Sequence, residues 1–391
     1  MSQTSVLLAD WVRAPAILRG RAGHGGDAAH APPGQVMRKR ALIHAAPLLT
    51  AATLIALLIA GCGSSQRPAD SKSSSSQKPS AKIRKVAVKP ADPLSTQSFY
   101  VVDSQAERDA EQLRASGQTA DANAMARLAA QPTATWLTGQ PDVGALVRAL
   151  TGRASAAGKS TLLVAYDIPG RDCGGYSAGG APSAAAYRQW IAALADGIGT
   201  RSATVIVEPD AIAQSLMAGC TTATTRAERL SLLRFAVKTL KAQPNTTVYL
   251  DAGNPGWIKP TSRLVPLLRA AGISAADGFS LNVANFYATP LVVAYGESLS
   301  QELGGKHFVI DTSRNGNGAP PSSGQPTWCN PPGRALGQDP TTHTGNPLID
   351  AYLWIKDPGQ SDGTCHPGDL PAGQWMPAYA LGLALGSSSA G

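Results

Sequence analysis

Histidine is scarce: of six in 391 residues, only His307, His343 and His366 lie beyond His44. There is no HExxH pattern, so the commonest hydrolytic zinc helix is excluded. No glycine-rich phosphate loop or dinucleotide fingerprint occurs at the standard spacing, which removes nucleotide-driven chemistry and ordinary hydride transfer. No two of the five cysteines form a CxxC pair, which argues against a structural zinc cluster. Charged residues make up only 15 % and aromatics 5 %, against 43 % apolar residues. With 40 Gly and 29 Pro, the chain is predominantly globular and rich in loops.

The net charge of +8 is confined to one end. Residues 1–90 hold 13 Lys and Arg against 3 Asp and Glu, and the remainder holds 21 against 23. A basic tail on a near-neutral globular part gives no reason to invoke nucleic acid. Within the tail, "MRKRALIHAAPLLTAATLIALLIAGC" (residues 37–62) has the basic start, apolar run and small-residue end of an export signal. Its "IAGC" resembles a bacterial lipobox, which would place a lipid on Cys62. A plain membrane anchor and an ordinary cleaved signal are the rival readings. Residues 1–36 have no signal character, so Met37 is a candidate start. Residues 63–93, dominated by Ser, Lys and Pro, read as a disordered linker. The expectation is an exported protein, either secreted or tethered outside the plasma membrane, with residues 94–391 as its folded monomeric domain.

Setting Cys62 aside leaves Cys173, Cys220, Cys329 and Cys365. An even number in an exported chain points to two disulfides. Three pairings are possible, and loop length favours 173–220 with 329–365.

From residue 98 onward one unit recurs: a short apolar run, a polar or acidic residue, then a helical stretch. "TLLVAYD" ends at Asp167, "TVIVEPD" at Glu208 and Asp210, and "TVYLDAG" carries Asp251. "GFSLNVAN" carries Asn282 and Asn285, "HFVIDTSRN" carries Asp311, and "DAYLWIK" ends at Lys356. Between the early runs, Tyr187, Trp190, Ile191 and Leu194 share one helical face, as do Leu230, Leu233, Val237 and Leu240. Apolar strands alternating with helices imply a parallel sheet buried on both faces. A barrel of the triosephosphate-isomerase type is the natural closure, with a doubly wound open sheet as the alternative. A barrel places its active site at the C-terminal strand ends. One acidic strand end is usually a helix cap or turn residue; several converging on one mouth imply a site.

Carboxylates and tryptophans are therefore the chemistry available. Paired carboxylates perform acid–base work when their surroundings separate their pKa values. Trp136, Trp257, Trp328 and Trp354 offer flat faces to sugar rings or simply pack in the core, and Trp354 inside a strand fits the core best. "GYSAG" (175–179) matches the GxSxG nucleophile elbow, with His366 available further on. An elbow follows its strand at once, however, and here eight residues intervene after Tyr166.

Seven blocks in order, "AYDIPGRDCGGYSAGG", "VIVEPDAIA", "YLDAGNPGW", "NVANF", "IDTSRNGNG", "WCNPPGRALG" and "DAYLWIKDPGQSDGTC", resemble glycoside hydrolase family 6. The resemblance covers about residues 96–388. It implies a distorted α/β barrel of about seven parallel strands, TIM-barrel-like, and inverting hydrolysis of β-1,4-glucans without a cofactor or metal. By resemblance Asp210 is the general acid, Asp172 its neighbouring carboxylate, and Asp362 the candidate base. Asp251 would help form the site floor, Asn282 would contact substrate, Tyr166 would lie against the distorted sugar, and Trp136, Trp257 and Trp328 would be sugar platforms. Lys356 and Gln360 would meet hydroxyls. The preferred cysteine pairing is also the family's. The chain departs from the pattern at Gln360 (usually Glu), Ala178 (often Ser), Asn254 (frequently His) and Pro260 (Trp in processive members). The last departure favours an open, endo-acting cleft. Gln360 and Ala178 keep a second reading in view, a glucan-binding lipoprotein with weak or lost hydrolysis; a serine esterase is the third.

Overall fold

Runs such as TLLVA and ATVIV carry one threonine and no charge, and they become strands covered on both faces. The computed structural model describes residues 92–321 and 326–386. The 1–36 extension, the 37–62 segment with Cys62, and the linker through residue 91 lie outside the described residues.

Two helices come first, α1 (Gln105–Ala115) and α2 (Thr119–Ala129). Strands and helices then alternate: β1 (Thr135–Leu137), α3 (Val143–Ala156), β2 (Thr161–Ala165), α4 (Ala184–Ile198) and β3 (Ala203–Val207). There follow the single turn α5 (Ala211–Gln214), α6 (Ala223–Lys241), β4 (Thr246–Asp251), α7 (Val265–Ala270), β5 (Gly278–Leu281) and α8 (Thr289–Glu302). The chain ends with β6 (His307–Asp311), β7 (Ile349–Leu353) and α9 (Pro377–Gly386).

The seven strands form one sheet in sequential order with every pairing parallel. The sheet closes incompletely. Between β7 and β1 the ladder is reduced to a bridge between Thr133 and Trp354, with the Ala134 N–H donating to the Trp354 carbonyl at 3.1 Å. This is the expected distorted barrel. Beside the six strands expected from the recurring unit, β1 is the seventh; at three residues it is too short for its pattern to stand out.

Side chains alternate across the sheet. Leu162, Val164, Ile206, Tyr249, Val309 and Leu353 pack inside the barrel. Leu163, Ala165, Val205, Val207, Leu250 and Phe308 face the helical layer. A third cluster joins α1, α2 and α9 around Trp354, which is core as expected. In β7, Asp350 is an extra residue at a register shift, since Ile349 opposes Phe308 and Ala351 opposes Val309. It accepts from the Tyr249 hydroxyl (2.7 Å) and meets His307 Nδ1 (2.6 Å).

Local signals fix the helix starts. Ser183 caps α4, accepting from the Ala186 N–H, and Thr222 with Thr225 forms a reciprocal capping box on α6. The expected face of α4 is buried entire. In α6, Leu233, Val237 and Leu240 are buried, but Leu230 is only half-buried and Arg229 takes its place in the interior. Among the described residues, no helix is long and apolar enough to cross a membrane.

Candidate active site

Strand ends converge at the C-terminal mouth of the barrel, and backbone strain converges there with them. The non-glycine residues with positive φ are Asp172, Cys173, Glu208, Asp210, Asn282, Ala284 and Asn330. Such conformations persist only where the surroundings enforce them, and they cluster at functional sites.

Asp210 follows β3. Its backbone N–H donates to Asp251 Oδ1 at 2.9 Å. Asp251, buried at the end of β4, also accepts from the Gly253 N–H (3.1 Å) and the Ser280 hydroxyl (3.2 Å). Asp251 thus holds the backbone of Asp210. Burial, then the charges of Asp251, Asp172 and Asp362, push the Asp210 carboxyl well above the usual carboxylate range. Burial likewise lifts Asp251 to about 6.

Asp172 lies on a short 3-10 turn after β2. Its Oδ2 accepts from the Ser177 N–H (2.7 Å) and its Oδ1 from Gln214 Nε2 (3.3 Å), which ties it to the helical turn after Asp210. Arg171 braces this loop from Nε to the Ser177 carbonyl (2.8 Å) and from Nη1 to the Tyr166 carbonyl (2.5 Å). Its guanidinium lies 4.7 Å from the centroid of the Tyr166 ring. Burial, and then the charges of Asp210 and Asp172, push the Tyr166 phenol upward.

Asp362 is in the opposite electrostatic state. Burial works against its charge, but Arg314 and then Lys356 outweigh burial and hold it below the usual range. Arg314, wholly buried, grips it with two hydrogen bonds, Nη1 to Oδ2 at 2.8 Å and Nη2 to Oδ1 at 2.9 Å. Lys356 Nζ lies 3.4 Å from Oδ1 and donates to the Ser361 carbonyl at 3.1 Å. The Asn330 N–H adds a bond of 3.1 Å. Arg314 was absent from the residues expected at the site; its only signal is a basic residue just beyond a strand end, in "IDTSRN".

Asp311 and Glu208 were noticed only as strand ends. Asp311 is fully buried and accepts from the N–H groups of Ala284, Ser313, Ile355 and Lys356, joining the ends of β5, β6 and β7. Glu208 accepts from the N–H groups of Asp167 (3.0 Å) and Ile168 (3.1 Å), and burial raises it to about 7. Asn282 is fully buried. Its Nδ2 donates to the Asp311 (2.9 Å) and Tyr287 (3.3 Å) carbonyls, so its amide is engaged with backbone at the floor.

The expected sugar-platform tryptophans are placed as follows. Trp136 donates from Nε1 to the Ile355 carbonyl (2.8 Å) and meets Tyr166 edge-on at 5.2 Å. Trp257 is half-buried against the outer core. Trp328 is 43 % exposed and stands 6.2 Å from the ring of Tyr176. Tyr176, on the Asp172 loop, presses on Gly363, where an added Cβ would fall 2.4 Å from Tyr176 Cγ. The loops bearing Asp172 and Asp362 therefore touch. Gln360 bonds Asp357 (3.2 Å).

Cys173 pairs with Cys220 and Cys329 with Cys365, at Cα separations of 5.3 and 6.2 Å. Both bonds hold loops at the mouth. GYSAG lies in the loop between β2 and α4 and not at a strand-to-helix junction, and the Ser177 N–H is spent on Asp172. It forms no nucleophile elbow.

The comparisons agree with this geometry. The sequence pattern of Glycosyl hydrolases family 6 matches residues 94–387. Endoglucanase A of Thermobispora bispora is 42 % identical over 268 residues, covering 67 % of this chain and 56 % of that protein. For Endoglucanase A of Cellulomonas fimi the figures are 44 % over 264 residues, 66 % and 55 %. The chain thus spans little more than half the length of these two relatives. Endoglucanase 1 of Streptomyces halstedii is 42 % identical over 307 residues, 76 % of this chain and 91 % of that protein. The solved structure of the endoglucanase Cel6 from Mycobacterium tuberculosis, in complex with methyl-cellobiosyl-4-deoxy-4-thio-β-D-cellobioside, superposes with a TM-score of 0.71. It is 44 % identical, and the match covers 76 % of this chain and all of that one. With its seven parallel strands and the carboxylates gathered at their C-terminal ends, this chain belongs to glycoside hydrolase family 6.

Proposed function

We propose that the protein hydrolyses internal β-1,4-glucosidic bonds in cellulose or a related β-glucan, with inversion at the anomeric carbon. The observation that carries this reading is the split between two carboxyls at one mouth: Asp210 driven up by burial and like charge, Asp362 held down by Arg314 and Lys356. A protonated acid facing an ionised carboxylate is what inverting hydrolysis requires. Asp210 donates its proton to the glycosidic oxygen as the bond breaks. Water attacks the opposite face of the sugar, losing its proton towards Asp362 directly or through a second water. Asp172 keeps the donor's pKa high through its charge and helps organise the water. Tyr166 presses on the sugar at the cleavage point, Trp136, Trp257 and Trp328 stack on neighbouring sugars, and Lys356 and Gln360 contact hydroxyls. The endoglucanase names of the relatives support endo action. Exported as the N-terminal segment predicts, and tethered through Cys62, the enzyme would act outside the cell.

Proton NMR of the first product tests the stereochemistry. Inversion gives the α-anomer from a β-linked chain, and a β-anomer would remove the assignment of Asp362 as base. In parallel, Asp210→Asn should nearly abolish cleavage of native glucan yet spare substrates whose activated aryl leaving group departs without protonation. A glucan-binding protein without hydrolysis would release no reducing sugar from any soluble β-1,4-glucan.

A further inference from the structure

Arg229 sits in α6 at the helical position where apolar spacing calls for a core residue, and it is only 6 % exposed. Its guanidinium passes between two loops. Nη2 donates to the Gly170 carbonyl at 2.9 Å, two residues before Asp172. Nη1 donates to the Ala211 carbonyl at 3.4 Å, one residue after Asp210, and lies 4.0 Å from Cys220 Sγ. One rigid fork therefore spans the backbone on either side of the acid pair. The disulfide cannot serve in its place, because Cys220 is ten residues beyond Asp210. Both segments it joins carry a strained residue: Asp172 and Asp210 have positive φ (58° and 71°). Glu208 faces the guanidinium electrostatically and holds the N–H groups of Asp167 and Ile168 from the other side. A buried charge at a helix position meant for leucine, satisfied by two carbonyls that flank the site, has a geometry suited to clamping.

We propose that Arg229 is a positioning residue for proton donation: it clamps the Asp172 loop to the Asp210 turn and so fixes the separation of those two carboxyls. The proposal rests on reading Asp210 as the donor and Asp172 as its charged neighbour. The groups facing Asp210 are Asp251 from β4, Asp172 and Tyr166 from the end of β2, and Asp362 from the loop after β7. Of these, the Asp172 loop is the one Arg229 bonds. Releasing the clamp lets Asp172 draw away, which lowers the donor's pKa and moves the alkaline limb of the rate profile to lower pH.

Three variants test this on the full chain with a soluble β-1,4-glucan. Arg229→Lys keeps a cation beside Glu208 but reaches one carbonyl only. Its kcat should fall roughly 10-fold, with little change in KM, because an ångström of misplacement is costly in rate. Its alkaline limb should move to lower pH. Arg229→Ala should fall further and recover in millimolar guanidinium, which can enter the adjoining cavity of about 250 Å3 lined by Gly170, Cys220 and Glu228; urea at equal concentration should not restore it. Asp210→Asn, run alongside, separates the two levels. If it still cleaves native glucan, the donor assignment fails and the clamp falls with it. If it is inactive while folded Arg229→Lys keeps the parent kcat and alkaline limb, the clamp alone is overturned. A loss in the arginine variants that merely tracks the folded fraction also overturns it.

Discussion

Replacing Arg314 with methionine isolates a buried, doubly hydrogen-bonded ion pair at the mouth. Arg314 is fully buried, and Asp362 beneath it is nine-tenths covered. Two hydrogen bonds, of 2.8 and 2.9 Å, join them, and the guanidinium also donates to the Ala284 carbonyl (2.6 Å) and lies over Phe286 at 4.4 Å. Charges about 4 Å apart at an effective dielectric of about 20 attract by about 4 kcal/mol. Removing one partner of a buried pair, which leaves the other uncompensated, costs about 3–5 kcal/mol. The two figures describe one effect and are not summed. Methionine fills part of the volume, so Arg314→Met should lose about 3–5 kcal/mol near pH 7. The sign with pH follows from Asp362, whose folded pKa lies below its unfolded one. Its contribution is complete above the unfolded value of about 4 and is lost as pH falls through the folded value. The gap between parent and variant should therefore narrow steadily as pH drops below about 4. Urea denaturation at a series of pH values measures it. A loss under about 1 kcal/mol at pH 7, or a gap that does not change with pH, would refute the account of Asp362 as a carboxylate held ionised by Arg314.

Gly363→Ala should disturb the contact between the loops bearing Asp172 and Asp362. Gly363 has φ 143° and no room for a Cβ, which would fall 2.4 Å from Tyr176 Cγ. The substitution should lift the Asp172 loop, lowering kcat on soluble glucan roughly 10-fold at a stability cost of about 1–3 kcal/mol; a folded variant with parental kcat would show that turnover does not need this contact. Cys62→Ala should move the protein from the membrane fraction to the soluble exported fraction in its native host, and a parent protein already soluble after export would remove the tether.

Most of the barrel was legible because its strands are covered on both faces. β2 to β7 are apolar runs ended by a polar residue, and that pattern survives any rearrangement of loops. β1 escaped because three residues, TWL, carry no period. The choice between a barrel and an open sheet was not local either, since closure rests on Thr133 meeting Trp354, residues far apart in the chain.

At the site, the positions of the carboxylates were legible but their charge states were not. Asp210 and Asp362 are the same side chain; Asp210 lies just past the end of β3, whereas Asp362 lies in the loop well beyond β7 and was reached only through the family resemblance. They diverge because Asp210 faces three other aspartates, whereas Asp362 faces a guanidinium supplied 48 residues earlier in the chain, beyond the end of β6. No spacing rule pairs those two segments; only the closure of β6 against β7 does. Arg229 was hidden for a related reason. Helical periodicity assigned its face of α6 to leucines, and it takes that place because two carbonyls on distant loops satisfy it. Sequence patterns report what a residue needs from water, and they fail where a buried charge finds its partner across the fold. At this mouth those are the very places where the charge states of Asp210 and Asp362 diverge.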